Sequence, residues 1–112
     1  MRHKTAEKAL EIDFDDGRTF RYPAEFLRVE SPSAEVKGHG PGQAQTVPGK
    51  RFVAIARVEA VGHYAIRLHF DDGHGTGIYS WTYLYELGRD GEARWADYLA
   101  QLAAKGLGRD PF

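Results

Sequence analysis

The chain has 112 residues, room for one domain and one core but not for two. With 42% hydrophobic and 28% charged residues it is neither disordered nor fibrous, and a net charge of -1 withholds the basic field of a general nucleic-acid binder. Cysteine is absent, which excludes disulfides, thiolate nucleophiles and Cys-based zinc or iron–sulfur ligand sets together.

Residues 1–8 are polar and aperiodic and read as a flexible tail, so the single domain is expected over 9–105. No apolar stretch follows the basic N-terminal residues, and none reaches the roughly 20 residues of a membrane span. The expectation is a cytoplasmic protein with no membrane contact.

Leu10, Ile12 and Phe14 alternate with Glu11 and Asp13, the period of a strand with one buried face. Asp15-Asp16-Gly17 is the turn, and Phe20 and Tyr22 mark the returning strand. Pro23 opens a short helix over Ala24–Arg28, and Ser31-Pro32 opens a second helical turn to Val36. Lys37 to Arg51 is rich in Gly and Pro and reads as a long loop.

Phe52–Val61 supplies an apolar strand, paired with a strand carrying Tyr64, Ile66, Leu68 and Phe70 that ends in Asp71-Asp72-Gly73. Ile78 and Tyr79 return, and Ser80–Leu87 is a short helix stopped by Gly88. Glu92–Lys105 is the clearest helix, with Trp95, Leu99 and Leu102, plus Ala96 and Ala103, as its apolar stripe. Residues 106–112 read as a loose C-terminal tail.

The two hairpins echo each other. Leu10, Ile12, Phe14, Asp15, Asp16 and Gly17 match Ile66, Leu68, Phe70, Asp71, Asp72 and Gly73 at a constant offset of 56. After one inserted residue, Tyr22, Phe26 and Leu27 match Tyr79, Tyr83 and Leu84. The predicted fold is therefore α+β: two hairpin-plus-short-helix units sharing a small antiparallel sheet or barrel-like core, covered by a C-terminal amphipathic helix.

Neighbouring aspartates on a strand point to opposite faces, so each Asp-Asp pair reads as turn chemistry rather than a metal site. Of the five histidines none forms a His-x-x-x-His pair; His74, just past the second turn, is the metal candidate, with His39 or His69 as companions. No nucleophile elbow or phosphate loop is present, which argues against an enzyme. Lys37, His39, Lys50 and Arg51 are candidates for an anion or partner contact. Tyr79, Trp81, Tyr83 and Tyr85 cannot all face inward on one helix, so one or two of these rings are expected to be exposed as a partner surface.

Leu-Glu-Ile-Asp-Phe-Asp-Asp-Gly at 10–17, Pro-Ala-Glu-Phe-Leu-Arg at 23–28, Ser-Pro-Ser-Ala-Glu-Val at 31–36, Gly-His-Gly-Pro-Gly at 38–42, Phe-Asp-Asp-Gly-His at 70–74 and Gly-Ile-Tyr-Ser-Trp-Thr-Tyr-Leu-Tyr-Glu-Leu-Gly at 77–88 occur in this order. In this combination the chain resembles the gamma-butyrobetaine-hydroxylase-like N-terminal domain family in its stand-alone bacterial form, over roughly residues 9–104. The resemblance implies a domain that, in the hydroxylases, precedes a 2-oxoglutarate-dependent iron catalytic domain and holds a structural zinc through three Cys and one His. Ser31, Ser33 and Val36 stand at the Cys positions, and only His74 is kept. The implied outcome is a zinc site lost, no cofactor and no hydroxylase activity, because the catalytic domain's iron motif is missing.

A similar domain fused to iron–sulfur carrier ATPases implies, by analogy, an accessory protein-interaction module near iron–sulfur cluster assembly or redox-cofactor machinery. The alternative from the same resemblance is a metal-binding domain, for zinc or iron, or a remnant of the hydroxylase. A protein partner is expected and nucleic acid is not.

Overall fold

The computed structural model describes residues 1–37 and 45–111. Six strands and four α-helices follow in the order β1 (Arg2–Lys4), β2 (Ala9–Asp13), β3 (Thr19–Pro23), α1 (Ala24–Val29), α2 (Ala34–Lys37), β4 (Ile55–Val61), β5 (Ala65–Phe70), β6 (Ile78–Ser80), α3 (Trp81–Arg89) and α4 (Gly91–Ala104). The strands form two antiparallel three-stranded sheets, β1-β2-β3 and β4-β5-β6. The fold is α+β as the patterning predicts, but with two separate sheets in place of a shared one, and without a closed barrel.

The two turns are built alike. Phe14 donates its N–H to the Arg18 carbonyl at 2.8 Å, and Phe70 donates to the His74 carbonyl at 2.9 Å. Asp16 accepts from the Arg18 N–H and Asp72 from the His74 N–H, both at 3.0 Å. Gly17 and Gly73 take φ values of 89° and 90°, a region that side chains with a Cβ rarely enter. The echo at an offset of 56 is therefore one turn geometry used twice.

The units interlock by exchanging equivalent contacts. Tyr22 on β3 donates its hydroxyl to the Leu84 carbonyl of α3 at 2.6 Å, while Tyr79 on β6 donates to the Leu27 carbonyl of α1 at 2.5 Å. In the turns, Asp16 accepts from the Tyr85 hydroxyl on α3 and Asp72 from the Arg28 Nε on α1. Gly88 of α3 lies against the Phe20 ring, where a Cβ would come within 2.3 Å; at the equivalent place a Cβ on Gly77 would come within 2.5 Å of Ser31 Oγ. Leu10, Ile12, Leu27, Ile66, Leu68, Leu84 and Leu87 fill the larger core, between the units, and Val29, Tyr98 and Leu102 form a smaller one under α4.

Three expectations need correction. Residues 2–4 are not a tail: they pair with β2, and Arg2 bonds Glu11 and Asp13. Residues 106–111 are not loose either. Gly49 and Arg51 donate backbone N–H groups to the Gly108 and Arg109 carbonyls, and Arg109 grips both Glu25 oxygens at 2.7 and 2.8 Å. On α4 the buried stripe runs through Tyr98 and Leu102, whereas Leu99 is 39% exposed and Ala96 and Ala103 face solvent.

Candidate functional site

The junction between the units gathers most of the polar residues that the sequence singles out. Ser31 follows α1, where its N–H reaches the Arg28 carbonyl at 3.4 Å and its hydroxyl is fully buried. Ser31 Oγ lies 2.9 Å from His74 Nε2, and it accepts from the Ser33 N–H at 3.3 Å. Ser33 Oγ pairs with Thr76 Oγ1 at 2.8 Å, and the Ser33 carbonyl accepts from the Val36 N–H as α2 begins. Ser31, Ser33, Val36 and His74 are thus all buried, on the two segments that the turn and the end of α1 bring together.

Asp72 ties this cluster to two cations. One carboxylate oxygen takes Lys50 Nζ at 2.6 Å and Arg28 Nε at 2.8 Å, while the other accepts the His74 N–H. Burial works to raise the Asp72 carboxyl, but the Lys50 ammonium, the His74 N–H and the Arg28 guanidinium outweigh it and hold it at about 2. The carboxylate is therefore charged at neutral pH and fixes the ring-bearing loop.

A structural zinc would need thiolates or imidazoles converging at about 2.0–2.3 Å. At this place the side chains are one imidazole, two hydroxyls and an isopropyl group, with the imidazole nitrogen at hydrogen-bond distance from Ser31. The set does not fit zinc. Among the described residues no group of three or more His, Cys, Asp or Glu is placed to share a metal ion. His69, the proposed companion, instead meets Glu59 at 3.0 Å and Arg57 at 3.1 Å on the outer face of β4 and β5; His39 lies outside the described residues.

The loop cations and the aromatic group are largely committed to the fold. Lys37 pairs with Glu30, Lys50 with Asp72 and Arg51 with Asp110. Tyr79 is fully enclosed, which removes it from any partner surface. Trp81, Tyr83 and Tyr85 are half-buried, and their polar atoms go to the His63 carbonyl, the Glu30 carbonyl and Asp16. Ser80 caps the helix that carries them, its hydroxyl accepting the Tyr83 N–H at 3.1 Å.

What the sequence reading misses is a groove of about 490 Å³ between β3 and the start of α4. Phe20, Tyr22, Phe26, Leu87 and Trp95 line it, and Gly91 leaves its floor open. At its rim Arg109 bonds Glu25 and stacks over the Trp95 ring at 5.2 Å. The signal was split in the sequence between residues 20–26 and 87–109, so no local motif marks it.

The family model described as gamma-butyrobetaine hydroxylase-like, N-terminal, matches residues 1–85. An NMR solution structure of a protein 48% identical covers 97% of this chain and 86% of its own, with a TM-score of 0.84. A second NMR structure, at 46% identity, covers 99% and 83% with a TM-score of 0.83. A crystal structure of a protein with unknown function of the DUF971 family from Acidithiobacillus ferrooxidans, 44% identical, covers 78% of this chain and 86% of its own, with a TM-score of 0.66. No curated protein matches. The matched model spans most of the chain, and the echoed turns, the Ser31–His74 junction and the rings of Trp81, Tyr83 and Tyr85 all fall within it: the chain belongs to the gamma-butyrobetaine hydroxylase-like N-terminal family.

Proposed function

We propose that this chain is a non-catalytic protein-interaction module. The observation that carries the reading is the contrast between its two concave or polar places. At the Ser31–His74 junction the hydroxyl and the imidazole nitrogen lie 2.9 Å apart, but Ser31 is fully buried and His74 nearly so, which seals the pair from a substrate. The groove beside β3, by contrast, is open and apolar, with a half-buried Trp95 in its wall, which is the chemistry of recognition rather than of bond making.

The family's occurrence with iron–sulfur carrier ATPases supports placing the partner within cluster assembly or related redox-cofactor machinery. Affinity capture with the tagged chain from lysate should recover the same partner in independent preparations. Recovery of nothing above background counts against the module. The metal-binding alternative has its own check: elemental analysis of protein purified without a His tag should give less than stoichiometric zinc and iron, and a stoichiometric metal lost in His74→Ala would replace this reading.

A further inference from the structure

The free edge of β3 has the properties of a docking strand. Residues 14/18, 12/20, 10/22 and 8/24 face one another across β2 and β3. Phe14 N–H to Arg18 and Ala24 N–H to Lys8, both 2.8 Å, fix these as the hydrogen-bonded pairs. The alternation turns the backbone N–H and carbonyl groups of Thr19 and Arg21 away from β2, and no partner for them occurs among the described residues. They open beside the groove that Phe20, Phe26 and Trp95 line.

The other edges are defended. Strands β1 and β6 are three residues long, β1 with Arg2 and Lys4 at its ends. Strand β4 shifts register between Ile55 and Arg57 and carries Arg57 and Glu59 on the face of its ion-pair network. Strand β3 keeps a regular register over all five residues, and its Arg21 side chain is drawn across the sheet to Glu11 and Glu7.

We propose that β3 binds an extended peptide of another protein as a fourth strand of the β1-β2-β3 sheet, with an apolar side chain in the groove and a basic side chain two residues on. This rests on the interaction-module reading and gives it a place and a ligand class. The two outward residues of β3 supply the ladder, and an added strand presents every second side chain to the groove. The basic position follows from Glu92, exposed on the groove wall at the first turn of α4 and without an ion-pair partner among the described residues, whereas Arg21 and Arg109 already have carboxylates.

The test uses the full chain and a set of end-blocked hexapeptides with Phe or Ile at the third position and Lys at the fifth. Binding should slow hydrogen exchange at the Thr19 and Arg21 amides. Gly91→Leu fills the groove from a helical position where a Cβ meets nothing within 4 Å, so it should fold at least as stably as the parent and weaken binding by about tenfold or more. Absence of binding across the set, binding unchanged in folded Gly91→Leu, or Thr19 and Arg21 amides already protected in a dimer of the free chain would each overturn the proposal. A partner captured equally by parent and Gly91→Leu would leave the module standing and remove this groove from it.

Discussion

Tyr22 and Tyr79 are core residues with a polar tip, and each spends that tip on a carbonyl of the opposite unit. Burial pushes both phenols up, so they stay protonated donors through the physiological range. Tyr22→Phe and Tyr79→Phe should each cost about 1 kcal/mol in urea unfolding, because each removes a buried hydrogen bond between the units. Asp72 makes a prediction in pH. Its carboxyl is held at about 2 against an ordinary 3.8, so its stabilisation is complete above the higher value and is lost as pH falls through the lower. Screening at this partly exposed site keeps the gain to roughly 1 kcal/mol. Parent and Asp72→Asn should differ most above pH 3.8 and converge toward pH 2, which acid titration of their stabilities will read directly.

Among the elements, what was legible in the sequence was what local chemistry decides. The Asp-Asp-Gly turns, the helix opened by Pro23 and the strand alternation before Phe70 need only neighbours in sequence, and all formed where the pattern put them. Strand β1 was not legible, because Arg2-His3-Lys4 has no apolar alternation and is held by backbone pairing and by Glu11 and Asp13. On α4 the sequence pattern put Leu99 on the apolar stripe, but Tyr98 is the buried residue. Its ring packs with Leu102 and Val29, and its hydroxyl donates to the Val47 carbonyl at 2.5 Å; Val29 and Val47 are distant in sequence. Leu99→Ala should then change stability by less than about 1 kcal/mol, and Leu102→Ala by about 2–4 kcal/mol, in the same denaturant series. Gly88, read as a helix stop, is the second-last residue of α3, and Phe20 occupies the space a side chain there would need. Gly88→Ala should lower the melting temperature although alanine favours helix, at a cost of about 1–3 kcal/mol.

At the scale of the whole molecule the sequence disclosed two similar units but not how they meet. The hairpins pack on one another as foreseen, but as two sheets rather than one sheet or a barrel-like core; the exchange of contacts was not foreseen, since Tyr22 to Leu84 and Tyr79 to Leu27 join residues far apart in sequence. The candidate site was readable to the same degree: Ser31, Ser33 and His74 fall together as the family pattern implies, but the β3 groove draws on both ends of the chain. Because each unit completes the other's hydrogen bonds, fragments 1–37 and 45–112 should be unstructured alone and regain native near-ultraviolet circular dichroism when mixed.

Paired contacts in which one residue touches a second, while the counterpart of the second touches the counterpart of the first, are the signature of an isologous interface between two identical subunits. This chain has that arrangement inside a single polypeptide, with the segment between α1 and β4 joining what would otherwise be two protomers. Covalent joining replaces a bimolecular association with an intramolecular one at an effective concentration in the millimolar range. Freed from the need to be identical, the two faces can diverge: one now places His74 beside a serine, and the other has a glycine at that serine's equivalent position, Gly88, against Phe20. A half-length chain made identical at the exchanged positions should accordingly assemble as a two-fold dimer.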